Sequence, residues 1–244
     1  MFVPMKVSDY VSNTINRLPK GYVFTYLDFV SEVNTEGAVI KALSRMAAAG
    51  KIKKLSKGKY YKPEITPFGA LLPDFYQVVK DLLEEDGKLI GYLTGFSIYN
   101  KLGLTTQVSN IIQVGRNTVR PTFQRERYTV SFIKQKNIIT KDNIPLLQIL
   151  DAIRYIKKIP DTSIEKALNR LLAILKETHP LDQSRMIKLA LKYPPSTRAI
   201  LGALLEQLGN KGIQPLFKSL NPVTEYQLKG ADKVLTNAIK WNLK

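Results

Sequence analysis

Apolar residues recur at spacings of three and four in the first fifty positions of the chain. From Ser8 to Leu18 the stripe is Val7, Val11, Ile15 and Leu18, which predicts a first helix ended by Pro19. GYVFT, residues 21–25, reads as a short strand. Thr25 and Asp28 make a capping box in TYLD and open a second helix through Val33. Asn34 and Thr35 turn into a third helix, in which Val39, Ile40, Leu43, Met46 and Ala47 share one face and Lys41, Ser44 and Arg45 point to the other. Gly50 stands where a helix ends in left-handed backbone. KIKKL, a turn of Ser56, Lys57 and Gly58, and KYYK then form a hairpin, with Ile52 and Leu55 flanking a lysine pair. Helix, strand, helix, turn, helix and hairpin within about sixty residues is the layout of a winged helix-turn-helix.

The pattern changes after Lys62. KPEITPFG, with two prolines and a glycine, reads as a linker. Phe68 to Leu83 reads as an amphipathic helix with Phe75, Val78, Val79 and Leu82 inside, closed by EEDGK. KLIGYLTG is short and apolar enough for a strand or a buried turn, and Phe96 to Leu102 is a short helix ended by Gly103. NIIQVG and RYTVSFIKQ read as strands joined by the basic loop RNTVRPTFQRER. Beyond Lys141 the period is helical: PLLQILDAIRYIKKI, a helix capped by TSIE and running through LNRLLAILKE, then SRMIKLALKY and TRAILGALLEQL. GIQPLFKSLNPVTEYQLKG is irregular, and ADKVLTNAIKW reads as a terminal helix. The expected fold is α+β and mostly helical. A winged helix-turn-helix over 1–63 precedes a larger α/β-mixed domain over 68–209, whose C-terminal half is helical; 210–244 is an extension.

Charge sharpens the reading of the first domain. The 244 residues carry 37 Lys+Arg against 20 Asp+Glu, a net +17, which implies a polyanionic partner. From Lys41 to Lys62 there is no Asp or Glu. Each cation placed against a phosphate releases counterions, so a surface of one sign binds polyanions. The expected partner is double-stranded DNA bearing operator repeats. The expected contacts are Thr35, Lys41, Ser44 and Arg45 of the third helix and Lys51, Lys53, Lys54, Lys57 and Lys59 of the hairpin, with Arg45 the residue suited to a bidentate guanine contact. The ordinary alternative is a solvated basic hairpin. Tyr60 and Tyr61 are suited to base stacking or to the core beneath the hairpin, and Tyr60 is assigned to the core. A second candidate surface joins Lys101 to Arg116, Arg120, Arg125 and Arg127, either as a further polyanion contact or as a solvated loop.

Other chemistry lacks parts. There is no cysteine, which excludes disulfides and thiolate metal sites, and His179 is the one histidine. Neither a G-x-x-x-x-G-K-[ST] loop nor G-x-G-x-x-G occurs. No enzymatic activity, cofactor or metal is expected. Pro73-Asp74 with Asp86-Gly87-Lys88 fits a loose nuclease pattern, so a metal-dependent nuclease, or another nucleic-acid-processing enzyme with a winged-helix targeting domain, is the alternative. Against it, FYQVVKDLLEE has helical period, which places Asp74 at a helix start as an N-cap or first-turn acid. No apolar run approaches the roughly 20 residues that span a bilayer, and MFVPMKVSDY lacks a signal-peptide core. A cytoplasmic protein without a membrane partner is the expectation.

Two stretches resemble a known family. KALSRMAAAGKIKKLSKGKYYKP resembles the winged helix of AbiEi-type antitoxins of bacterial abortive-infection and type IV toxin–antitoxin systems. GYLTGFSIYNKLGLTTQV resembles the start of that family's second domain, whose recurring pattern falls here on Ser97, Gly103, Leu104, Thr105 and Gln107. The resemblance spans residues 8 to 208. It implies that the N-terminal domain represses its own operon. It also implies that the C-terminal domain counters a nucleotidyltransferase toxin encoded beside it, by direct contact or indirectly. Composition and periodicity bear only on the first of these.

Overall fold

The structure, a computed structural model, describes residues 6–31 and 35–244. The chain forms an α+β fold of two compact units. The first comprises residues up to Asp81 together with 124–128, and the second comprises 82–123 and 129–244.

In the first unit, α1 (Val7–Arg17), β1 (Val23–Thr25), α2 (Leu27–Val30), α3 (Glu36–Ala48), β2 (Lys53–Ser56) and β3 (Lys59–Tyr61) follow the winged-helix order. The strands make one antiparallel sheet of order β1-β3-β2. Helix α2 opens as its sequence dictates: Asp28 Oδ2 accepts from the Thr25 backbone N–H at 2.7 Å and from its hydroxyl at 3.1 Å, and Thr25 Oγ1 accepts from Leu27 N at 3.2 Å. The expected end of this helix at Val33, and Asn34 of the following turn, lie outside the described residues. Val11, Ile15, Phe24, Phe29, Val39, Ala42, Leu43 and Ile52 form the buried core. Burying such side chains is worth roughly 1.5–3 kcal/mol each for the larger ones, set against the conformational entropy of ordering the chain.

The linker and the helix start expected over 62–74 are replaced by a hairpin. Strands β4 (Glu64–Thr66) and β5 (Gly69–Leu71) pair antiparallel, and α4 begins only at Phe75 and runs to Leu83. Pro67 and Gly69, the latter at φ +111, turn the chain, and the Thr66 hydroxyl donates to the Gly69 carbonyl at 2.9 Å. The expected linker is therefore folded, and the first compact unit continues to Asp81 instead of stopping at residue 63.

The second unit begins with a hairpin too. EEDGK forms β6 (Glu84–Glu85) and β7 (Lys88–Leu89) around Asp86 and Gly87, both at positive φ, 48° and 74°, where a helix end was expected. Strands β8 (Gly91–Thr94), β9 (Ile111–Arg116), β10 (Phe123–Arg125) and β11 (Tyr128–Lys134) build a sheet of order β10-β11-β9-β8, in which β9 and β11 run parallel. Helices α5 (Ile144–Arg154), α6 (Ile164–Glu177), α7 (Pro180–Ala190) and α8 (Pro195–Gln207) follow, as the sequence period predicts. Ser163 caps α6 by accepting from Lys166 N at 3.2 Å.

Residues 210–244 are not an appendage. Short helix α9 (Gln214–Lys218) and a 3₁₀ turn at Ile239–Trp241 replace the expected terminal helix. Leu216, Leu228, Leu235, Ala238 and Trp241 belong to the same buried cluster as α5–α8. Trp241 is fully buried, donates through Nε1 to Glu206 at 2.9 Å, and packs edge-on against Phe217. No helix among the described residues is long and apolar enough to cross a membrane.

Candidate nucleic-acid interface

Helix α3 turns Val39, Ala42 and Leu43 inward and leaves Lys41, Ser44 and Arg45 exposed. This outer face is the one the sequence predicts, with one change. Ile40, expected in the apolar stripe, is 41% exposed and lies beside Lys41 and Ser44, because Ala42 takes its place in the seam. An apolar side chain among polar neighbours on such a face can meet a thymine methyl. Its exposure was readable only by noticing that Val39, Ala42, Leu43 and Met46 make the tighter stripe. Thr35 holds the N-cap position of α3, exposed and without a side-chain capping bond. Gly50, at φ +73, ends the helix as expected.

The wing is β2, the Lys57-Gly58 tip and β3. Its root is fixed by Ile52 and Leu55, both fully buried; Lys53 and Lys54 are both exposed, and the register shifts by a bulge between Lys54 and Ser56. Lys51 and Lys57 are exposed as well. Among the described residues, no ion pair engages Lys41, Arg45, Lys51, Lys53, Lys54 or Lys57. Tyr60 is half-buried against the core, as expected, and Tyr61 is buried more deeply still, so neither ring stands out as a stacking platform.

Two cations of the acid-free run are occupied elsewhere. Lys59, expected at the phosphates, is half-buried and forms a salt bridge to Asp81. Lys62 donates to the carbonyls of Asn16 at 2.8 Å and Leu18 at 2.9 Å, closing the C-terminal end of α1. The acid that claims Lys59 lies twenty-two positions further on, beyond reach of any local pattern.

The four arginines expected to form one loop surface do not form it. Residues 123–125 are strand, not loop, and strand alternation turns Arg125 inward. Arg125 is buried and donates to the Val78 carbonyl and Asp81 Oδ1, both at 2.7 Å, and to Asp81 Oδ2 at 3.1 Å. Arg127 donates to the Tyr128 hydroxyl at 3.2 Å, its guanidinium over that ring. Arg116 ends β9 and is half-buried. Arg120 is exposed, stacked over Phe123 and Phe132 at 5.0 and 5.4 Å. Arg125 and Arg127 fall in the first unit, whereas Arg116, Arg120 and the exposed Lys101 fall in the second.

The pattern residues of the second stretch do local work. Ser97 Oγ accepts from Gln113 N at 2.8 Å and ties the 3₁₀ turn at Gly95–Ser97 to β9. Gly103, at φ +69, lies against Arg170, which donates to the Leu102 carbonyl at 2.7 Å. Leu104 is buried, and Thr105 accepts from Gln107 N at 3.1 Å. Asp74 accepts from Gln77 N at 2.8 Å at the start of α4, the helix-capping role its surroundings predict. His179, expected at a helix end or in a loop, is the N-cap of α7 and accepts at Nδ1 from Leu181 N at 3.3 Å. No group of three or more His, Asp or Glu poised to hold a metal occurs among the described residues.

Fold and surface together define a winged-helix protein with a larger α+β unit attached. The chain belongs to DUF6088, a family of unknown function, whose model matches residues 10–206. No curated protein matches the sequence. The chain is similar to the RV2827C protein from Mycobacterium tuberculosis, a solved structure, at 17% identity and a TM-score of 0.48, over 93% of this chain and 86% of that one.

Proposed function

We propose that the protein is a DNA-binding transcriptional repressor of its own operon and an antitoxin that counters a nucleotidyltransferase toxin encoded in that operon, acting in the cytoplasm without cofactor or catalysis. One observation carries the DNA-binding half: α3 and the wing present Lys41, Ser44, Arg45, Lys51, Lys53, Lys54 and Lys57 exposed. A helix of this width enters the major groove, and the wing's lysines meet phosphates beside it. The antitoxin half rests on the resemblance of residues 91–108 to the AbiEi-type second domain.

Two experiments test the two halves separately. Sequencing the fragments of its own genome that the full-length protein retains should recover the region upstream of its own gene, as repeats. Uniform recovery across the genome would overturn the repressor reading. Co-expression with the neighbouring nucleotidyltransferase should restore growth, and growth no better than with the toxin alone would overturn the antitoxin reading.

A further inference from the structure

The second unit contains a cavity of about 300 Å³ lined by Lys134, Gln135, Lys136, Arg154, Lys192, Tyr193, Pro194 and Pro195. Its walls come from four elements. Lys134 ends β11, the next residue Gln135 is buried, and Lys136 is exposed again, so both cations line the cavity around the inward glutamine. Arg154 ends α5, Lys192 follows α7, and Pro194 and Pro195 form the N-terminus of α8, which has no side-chain cap. No acid lines the cavity, and among the described residues none of the four cations is in an ion pair.

The floor is built and rigid. Gln135 and Tyr193 are both buried, and Gln135 Nε2 donates to the Tyr92 and Tyr193 hydroxyls, each at 2.8 Å. Those hydroxyls donate in turn to Asp151, Tyr92 to Oδ2 at 2.7 Å and Tyr193 to Oδ1 at 2.9 Å. Gln135 Oε1 accepts from Asn137 N at 2.8 Å. The hydrogen-bonding capacity of the floor is thus turned inward and holds the wall in place; Lys192 Nζ reaches only the Lys136 carbonyl, at 3.5 Å, and Arg154 lies over the Tyr155 ring at 5.0 Å, so no acid of the lining neutralises the cations. Four like charges around one concavity repel one another, and a bound polyanion relieves that repulsion.

We propose that this cavity is a binding site for a phosphorylated small molecule of about mononucleotide size, a function separate from the DNA-binding surface. A single carboxylate balances one of the four cations, whereas a di- or triphosphate group balances most of them. The guanidinium of Arg154 matches phosphate oxygens in pairs, the lysines supply point charges, and the helix N-terminus adds partial positive charge. The volume lies at the small end of ligand pockets, which suits a nucleotide rather than a polymer.

The test uses the full-length protein and two probes, inorganic pyrophosphate and ATP, titrated calorimetrically without metal. Lys136→Ala/Lys192→Ala changes exposed side chains only, and Lys53→Ala/Lys54→Ala serves as the wing control. Parent and wing variant should bind pyrophosphate with equal Kd, and the cavity variant should bind it at least about tenfold more weakly, with an unchanged melting temperature in the absence of probe. Tighter binding of ATP than of pyrophosphate assigns the site to nucleotides, and equal binding assigns it to the phosphoryl group alone. Either meets the proposal. It is overturned if pyrophosphate binds parent and cavity variant alike, if the wing variant is the one that loses it, or if no binding is seen at millimolar probe. It is also overturned if the cavity substitutions weaken duplex DNA while sparing both probes, which would make the cavity a DNA contact.

Discussion

Asp81 shows how one residue can redirect two others. It draws Lys59 off the wing and holds Arg125 inside the first unit. Burial pushes the Asp81 carboxyl up, but the hydrogen bonds and charges of Arg125 and Lys59 outweigh it and leave the group below its usual range. A lowered carboxyl stabilises fully above the ordinary carboxylate pKa, and that contribution is lost as pH falls through the lower folded value. Asp81→Asn should therefore cost about 1–3 kcal/mol at neutral pH, the low end reflecting Asp81's own exposure to water and the high end the buried guanidinium left half-paired. Below about pH 4 the variant should lose less stability than the parent, because the group that takes up the proton is gone. Urea melts at both pH values check this, and parallel loss in the two proteins would count against it. Gly202 poses a different balance. It lies in α8, where alanine ordinarily gains about 1 kcal/mol. Yet a Cβ there would sit 2.1 Å from two ring carbons of Trp241. Overpacking of this kind costs about 1–3 kcal/mol, so Gly202→Ala should lower the midpoint of thermal unfolding, whereas propensity alone would raise it.

If the proposed DNA-binding reading holds, the wing and α3 divide the labour of binding between charge and shape. Lys53→Ala/Lys54→Ala should weaken binding to all duplex sequences alike and reduce the salt dependence by a slope of about one per lost contact. Equal binding by parent and variant across a salt titration would remove β2 from the interface. Arg45→Ala should instead flatten sequence preference, by about 1–3 kcal/mol of discrimination at one base pair, with little loss of nonspecific affinity. Binding-site selection with the variant reads this directly, and an unchanged preference would place Arg45 on the backbone. Long helices were legible in the sequence: α1, α3, α6 and α7 each bury one stripe that recurs over turns, and α5 and α8, buried nearly all round, show as long apolar runs between prolines and glycines. The β2–β3 hairpin was legible too, but the hairpins of β4–β5 and β6–β7 were not. Asp86-Gly87 is a strong two-residue turn signal, but each flanking strand has two residues, too few to show alternation beside a helical stretch. Arg125 was misread for the same reason, since three residues of β10 carry no visible period.

At the scale of the whole molecule, each compact unit has its own buried cluster. The sequence placed the division near a proline-containing segment, because prolines and a glycine look the same in a linker and in a tight hairpin. It also set residues 210–244 apart, because their burial depends on distant partners: the Trp241 ring over Gly202, and Asn237 donating to the Ala203 carbonyl at 3.1 Å. These pairings leave no mark at helical spacing. The cavity beside α8 was illegible for a related reason, as its four cations come from separate stretches and converge only in the fold. Trp241 turns this architecture into a measurement. It is the chain's one tryptophan and is fully buried in the second unit, so its emission reports that unit's unfolding. Far-ultraviolet dichroism reports both units. Two cores that unfold as separate cooperative bodies should give a dichroism curve broader than the fluorescence curve in urea. Asp81→Asn, which lies in the first unit, should shift part of the dichroism curve and leave the fluorescence midpoint in place. Gly202→Ala should move the fluorescence midpoint and only the matching part of the dichroism. Coincident curves that shift together in both variants would show instead that the two units unfold as one.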